Sequence, residues 1–119
     1  MTTETFNYDD VTSGSDEIAT TSVIIASGQT LGALAPIGQV TATGKFVLSE
    51  SDASNGSQKP VYITAQEIDA SSGDVNTQVF KAGTFDPEML AWDDSFTAPQ
   101  KLTAFVGTPI SLQTKAVEL

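Results

Sequence analysis

The acid–base chemistry open to this chain is set by its carboxylates. It has fifteen Asp and Glu residues but no His, Cys or Arg. Two carboxylates can cleave a glycosidic bond, so a carboxylate-dependent hydrolase stays formally open. Without His or Cys there is no Ser-His-Asp or Cys-His machinery, no usual structural zinc site and no redox dithiol. Most of the acids stand beside Ser, Gly, Asn or another acid, as solvated loop residues do. We therefore expect no catalytic residue, no cofactor, no metal and no small-molecule substrate, in a protein that is not an enzyme.

Two short segments look like ligand loops, but neither has the required spacing. Residues 38–45 suggest a phosphate loop, yet five residues separate the glycines where four are needed, and Phe46 replaces the magnesium-binding hydroxyl. Residues 52–56 suggest a calcium loop. Such a loop would need a second calcium ligand at the position of Ser54, its glycine one residue after Gly56, and a Glu further along the chain. Strands around a turn explain the first segment better, and a plain turn explains the second.

The charge of the chain restricts its partners. The formal net charge is −10, whereas nucleic-acid binding uses clustered Lys and Arg. The same sign disfavours anionic membrane surfaces. No apolar run approaches the ~20 residues of a membrane-spanning helix, and the N-terminus lacks the basic start and apolar centre of a signal peptide. We expect a protein made in a cytoplasm that binds neither nucleic acid nor membrane.

Residues 1–17 form an acidic N-terminal arm with five acids and no lysine. Ordering an arm of this length costs on the order of 20 kcal/mol, and burial returns only ~2–3 kcal/mol for each of its few apolar side chains. The arm is therefore expected to be disordered when free. Phe6 and Tyr8 alternate, so they would share one face of an extended strand. A partner with an unpaired sheet edge could accept such a strand.

Residues 18–119 are predicted to form a single compact β-rich domain that positions this arm. The strand predictions rest on short apolar runs between Gly, Pro, Asn and Ser turns. Asp86 and Pro87 give the best helix start, as cap and first helical residue, and the helix must be short because Pro99 follows. The predicted strands are 21–25, 39–43 opened by 36–38, 45–48, 61 to about 68, 75–80, and 102–112 broken at Gly107 and Pro109.

The stretch 79–112 concentrates the aromatic residues. It holds the only Trp, Trp92, and four of the six Phe. These side chains could form an aromatic platform that binds a ligand. A domain of this size also needs a hydrophobic core, and because the aromatic residues lie in apolar strand segments, we favour the core. Gly83 and Gly107 are predicted to mark positions where only glycine suits the backbone, through positive φ or close packing.

The same stretch resembles the head decoration proteins of lambda-like tailed bacteriophages. The resemblance rests on FKAGTF at 80–85, LAW at 90–92 and TAFVGTPIS at 103–111, and ETF at 4–6 resembles the start of the family's arm. Residues 34–36 and 45–69 follow a similar order with looser matching. The chain continues past Ile110 and Ser111, where the family tends to stop. The family signature and core residues are identified as Phe80, Gly83, Thr84, Phe85, Trp92, Phe105 and Gly107.

The resemblance implies a mainly β fold with one or two short helices, a bent ribbon of the β-clip or β-tulip type, and an extended N-terminal arm. It implies a homotrimer on the outside of the expanded capsid, cementing the shell of the virion against packaged DNA. The arm would join the major capsid protein by strand addition, through Thr5, Phe6, Asn7 and Tyr8. An exported β-rich adhesin or glycan-binding module remains the alternative.

Overall fold

The longest ladder of the fold joins the first strand to the seventh. The computed structural model describes residues 18–113. Strand β1 (Ala19–Ile25) pairs antiparallel with β7 (Val75–Phe85) over seven residue pairs. Along β1, Val23 and Ile25 are buried whereas Ser22 and Ile24 are exposed, because successive side chains of a strand point to opposite faces. The alternation of β-branched and small polar residues thus gives β1 one core face.

The remaining elements are short and follow turn residues. In chain order they are β2 (Thr30–Leu31), β3 (Pro36–Gln39), β4 (Phe46–Leu48), β5 (Pro60–Thr64), β6 (Ile68–Asp69), a 3₁₀ helix (Pro87–Met89), α1 (Ala98–Thr103) and β8 (Ile110–Leu112).

The main sheet closes on itself as a small barrel. Its order is β1-β4-β3-β5-β7, and β7 pairs back to β1, so these five strands form a ring. The ring is antiparallel except for the parallel β1–β4 contact. Strand β8 pairs in parallel with the end of β7, and β2 and β6 form a separate two-stranded sheet. Closure leaves few unpaired edges among these strands.

Two hydrophobic clusters fill the domain, and β7 contributes to both. Val79 packs in the barrel cluster with Ile25, Ile37 and Phe46. Phe85, at the end of the same strand, packs in a second cluster. The members of that second cluster are Ile63, Phe85, Leu90, Phe105 and Ile110, with Leu34, Phe80, Trp92, Ala104 and Leu112 against it.

A buried hydroxyl ties β5 to the segment between β2 and β3. The Thr64 side chain is fully buried. Its Oγ1 accepts a hydrogen bond of 2.8 Å from the Ala35 amide and donates one of 2.8 Å to the Gly32 carbonyl. This single atom therefore satisfies two backbone groups, one of which is the amide of the buried Ala35.

Replacing Thr64 by Val keeps the shape but removes both hydrogen bonds. We expect a loss of about 1–3 kcal/mol in the free energy of unfolding, because the Ala35 N–H is left buried without that acceptor. Urea denaturation followed by circular dichroism measures the loss. Thr20→Val, on an exposed β1 position, is the matched control and should change stability little. Equal effects of the two substitutions would contradict the assigned role of the hydroxyl.

The mainly β class with one or two short helices is confirmed. The sheet is a closed small barrel, a more specific description than the bent ribbon that the resemblance implied. The predicted short helix at Asp86 is confirmed as the 3₁₀ helix, with Asp86 Oδ1 accepting a 3.0 Å hydrogen bond from the Glu88 amide. The boundary between arm and domain stays a prediction, since residues 1–17 and 114–119 lie outside the described range.

Two strand predictions are wrong. The predicted strand 39–43 ends at Gln39, since Val40 O accepts hydrogen bonds from the Thr43 and Gly44 amides and so closes a turn. Thr41 and Thr43 favour a strand, but the turn forms instead, and Gly44 completes it with a φ of 76°. The third predicted strand ends at Thr64, and Ile68 belongs to β6 instead.

The prediction of strands over 102–112 is wrong for its first part. Leu102 and Thr103 belong to α1, and only Ile110–Leu112 is a strand. Thr97 and Gln100 form a capping box at the start of α1. Pro99 lies in the first helical turn, where its missing N–H has no intrahelical partner in any case. The proline interpreted as a stop signal therefore begins a helix.

Candidate functional site

The predicted contact residues Thr5, Phe6, Asn7 and Tyr8 lie outside the described residues, as does the rest of the arm. What the structure defines is the place where the arm joins the domain. Ile18, the first described residue, is half-buried and lies against Gly83 of β7. The arm is therefore attached at the C-terminal end of β7.

Strand β8 meets β7 at the same place. Gly83, Thr84 and Phe85 are in register with the three residues of β8. The Phe85 carbonyl then accepts a 2.9 Å hydrogen bond from the amide of Gln113, the last described residue. Both ends of the described chain, Ile18 and Gln113, consequently lie against the last three residues of β7, at one pole of the domain.

The aromatic signature residues lie directly behind this pole. Phe85 and Phe105 are 0% and 2% exposed, and Thr84 is also buried. The Phe80 and Phe85 ring centroids are 5.4 Å apart, and those of Trp92 and Phe105 are 6.2 Å apart. These distances suit tilted aromatic packing. The rings therefore form hydrophobic packing next to the last residues of β7.

Trp92 is half-buried, and its polar edge has a partner inside the domain. The indole Nε1 donates a 2.8 Å hydrogen bond to the carbonyl of Pro87. Its ring lies 5.1 Å from that of Phe96. With its N–H satisfied and its ring packed, Trp92 fits a structural role better than a ligand platform.

The two signature glycines both have positive φ, as predicted. Gly83 has φ 135° and Gly107 has φ 94°, values that favour glycine over residues with a Cβ. Their surroundings differ. A Cβ on Gly107 would meet no atom within 4 Å, whereas one on Gly83 would touch the Ile18 side chain. Gly107 serves the turn after α1, and Gly83 also serves a close approach.

An exposed apolar face lies on the segment that connects β7 to β8. We define it by Leu102 and Val106, whose exposed fractions are 61% and 70% and which line the same surface depression. A cleft of about 410 Å³ runs beside it and is lined by Pro87, Glu88, Leu90, Trp92, Ala98, Lys101 and Leu102. Exposed apolar side chains that cluster in this way are typical of interaction surfaces.

Sequence reasoning missed the apolar face because it placed 102–106 in a core strand. Instead α1 ends at Thr103 and the chain turns after it, so that Phe105 is buried while Leu102 and Val106 are exposed. The signal that could have identified it was Thr97-Ala98-Pro99-Gln100, a helix-start pattern.

The charged residues of the described domain are exposed or half-buried, except for Asp86, the buried cap of the 3₁₀ helix. Within residues 18–113 one ion pair occurs, between Lys45 Nζ and Asp74 Oδ2 at 2.7 Å, with both side chains about two-fifths exposed. The hydrogen bond from Lys45 lowers the pKa of Asp74 below its usual value. Exposed pairs of this kind add little stability.

The other resolved pKa shifts also point downward. The Ser71 side chain, hydrogen-bonded to Asp69, lowers the pKa of that carboxyl. The Ser95 side chain does the same for Asp93. A carboxylic acid that donates a proton at neutral pH needs a raised pKa. These three acids therefore have the wrong shift for a general acid, and nothing here favours the hydrolase alternative.

Two further findings concern the described part of the chain alone. In residues 18–113, no three His, Cys, Asp or Glu side chains come together in a group that could hold a metal ion. No helix there has the length and apolar character needed to cross a membrane.

The comparisons with known proteins agree with the resemblance in the sequence. No curated protein matches the chain. The family model of bacteriophage lambda head decoration protein D matches residues 1–111. That range includes the predicted arm, the barrel and strand β8 as far as Ser111. The family is structural rather than enzymatic, and its members are components of the phage capsid. The chain therefore belongs to the bacteriophage lambda head decoration protein D family.

Proposed function

We propose that this protein binds as a homotrimer to the outside of the expanded phage head and stabilises the head against the pressure of packaged DNA. The observation that carries the proposal is the family match itself, since it begins at residue 1 and runs through the arm into the domain. A match confined to the barrel would support the fold but would say nothing of the arm.

The arm is the proposed contact with the major capsid protein. Thr5, Phe6, Asn7 and Tyr8 would add a strand to an unpaired sheet edge, with main-chain hydrogen bonds for affinity and two aromatic side chains for register. Support comes from the composition of the arm, which cannot order itself but carries two aromatic residues at strand spacing. Support also comes from Ile18, because its half-buried position holds the arm at one defined place on the domain.

The apolar face is the proposed contact between copies. Leu102 and Val106 expose more than half of their surface to water in the isolated chain. Covering them with a neighbouring copy would remove that apolar area from water at about 25 cal/mol per Å². Glu88 and Lys101 line the same cleft. A head-to-tail contact around a threefold axis could therefore bring opposite charges together.

Stabilisation of the phage head by this protein requires binding alone and no catalysed reaction. A protein that binds the expanded lattice and not the compact one stabilises the expanded lattice by mass action. Three arms on one trimer make each further contact intramolecular, which raises overall affinity well beyond that of one arm. The net charge of −10 keeps such a protein from binding the packaged DNA, which suits a position on the outside of the shell.

The test is sedimentation of purified protein with expanded and unexpanded heads of its own phage. We expect co-sedimentation with expanded heads alone. We also expect heads carrying the protein to withstand heat or loss of divalent ions better than bare heads. Light scattering should report three times the 12.4 kDa of one chain, either free or on release from heads. Failure to bind expanded heads would refute the proposal, as would equal binding to both forms.

A further inference from the structure

We infer that Gly83 is a positioning residue for the N-terminal arm. Because glycine has no side chain, Ile18 can pack directly against it, and we call this contact the seat of Ile18. The seat fixes the direction in which the arm leaves the domain. The inference deepens the proposed function and rests on it, because it matters to the capsid only if the arm is what binds.

The seat is visible in the contacts around Gly83. A Cβ placed there would lie 3.2 Å from Ile18 Cγ1, 3.6 Å from Ile18 Cα and 3.2 Å from Phe85 Cε1. Contacts of 3.2 Å are tighter than most real Cβ contacts, so any side chain at this position would push Ile18 away or shift the Phe85 ring. Protein interiors transmit such displacements because they are close-packed. Glycine is thus favoured by the limited space as well as by its φ of 135°.

Gly83 also stands where β7 changes partners. The ladder with β1 reaches Ala19 opposite Ala82, with a register irregularity between Ala19 and Thr20. At the next residue of β7, Gly83, the pairing with β8 begins opposite Ile110. The β1–β7 ladder therefore ends at Ala19 and does not include Ile18. The contact between Ile18 and Gly83 is the last described contact before the arm.

The direction of exit matters because the arm is short. Phe6 lies twelve residues before Ile18, so an extended arm reaches at most roughly 40 Å from this point. For a tethered ligand, effective concentration is highest when the tether matches the span to its site. Three arms must bind at the same time, so a changed direction of each arm at Ile18 would reduce the capsid affinity of the whole trimer.

A purely structural role for Gly83 makes a different prediction, and a matched glycine separates the two. Gly28 has φ 94°, and a Cβ there would meet no atom within 4 Å. Gly28→Ala therefore introduces the backbone cost of positive φ without touching Ile18. Ile18→Ala is the complementary variant: it removes the side chain from the seat and introduces no positive-φ cost. That variant keeps the inference testable if Gly83→Ala does not fold.

The experiment measures affinity for expanded heads, at a temperature where circular dichroism shows each variant to be folded. We expect Gly83→Ala and Ile18→Ala to bind about tenfold more weakly than the natural protein, since each disturbs every arm of the trimer. Gly28→Ala should stay within about twofold. Equal affinity of Gly83→Ala, Gly28→Ala and the natural protein would overturn the inference while leaving the proposed function intact.

A second measurement detects the arm without the capsid. The chain has one Trp and no Cys, so an acceptor dye on Ser15→Cys reports the energy-transfer distance from Trp92. We expect Gly83→Ala and Ile18→Ala to shift or broaden the distance distribution and Gly28→Ala to leave it unchanged. An unchanged distribution in all three variants would overturn the inference. Failure of the natural protein to bind expanded heads would instead refute the proposed function.

Discussion

Deletion of residues 2–14 is expected to abolish detectable binding to expanded heads while the β domain keeps its melting temperature. The deleted stretch holds both arm aromatics and all four proposed contact residues. Losing one weak contact in each of three linked arms removes the avidity as well, so we expect affinity to fall by ~100-fold or more. The domain should stay folded because the described members of both hydrophobic clusters all lie at Val23 or beyond it.

Charge and aromatic contacts can be separated by two full-length controls. The deletion removes Glu4, Asp9 and Asp10 together with Phe6 and Tyr8. The triple variant Glu4→Gln, Asp9→Asn, Asp10→Asn changes only the charge and should retain most of the binding. The double variant Phe6→Ala, Tyr8→Ala keeps the charge and should lose most of it. Full capsid affinity of the deleted but folded protein would refute the role of the arm.

The largest expected effect on stability is that of Phe105→Ala. Phe105 is 2% exposed and packs in the second cluster with Phe85 and Ile110. Truncating a buried Phe costs about 3–5 kcal/mol, from lost burial and from the cavity left behind. For a domain of about 100 residues this is a large part of the total stability of 5–15 kcal/mol. The variant should therefore unfold at much lower urea concentration.

Ile24→Ala is the control for that measurement. Ile24 lies on the outer face of β1, outside the proposed contact between copies, and is 40% exposed, so we expect a change within about 1 kcal/mol. Both variants should be compared at one protein concentration, since self-association adds to apparent stability. A cost below about 1 kcal/mol for Phe105→Ala would contradict its place in the core.

Short-range patterns predicted a good part of the fold. The alternation in β1, the Asp86 cap and the turn before β7 all depend on residues within a few positions of one another. The positive φ of Gly83 and Gly107 could also be predicted, because a glycine within a largely apolar stretch indicates a special backbone conformation or close packing. Family membership could be predicted too, since the segments 80–85 and 103–111 carry an order of residues that composition does not produce.

Features that depend on distant contacts could not be predicted. Closure of the barrel depends on β1 meeting β7, more than fifty residues away, and no local pattern encodes that pairing. The helix α1 was missed for a local reason instead: Pro99 is compatible with the end or the start of a helix, and the nearby capping box of Thr97 and Gln100 indicates a start. The seat of Ile18 on Gly83 joins residues 65 positions apart, so the sequence suggested a special glycine but not its partner. The contacts of Thr5 to Tyr8 remain a prediction.

The β1–β7 ladder has a mechanical consequence. The arm continues directly into β1, and β1 pairs with β7 over seven residue pairs. A pull on the arm along the strand axis therefore loads those hydrogen bonds in shear, all at the same time, whereas a pull across the strands would open them one after another. Strands resist shear far better than unzipping, because no single bond can break before its neighbours carry the load. A shell under outward pressure draws its capsomers apart along its surface. If β1 lies parallel to that tension, the bound protein would dissociate from its capsid binding site before its own domain unfolded.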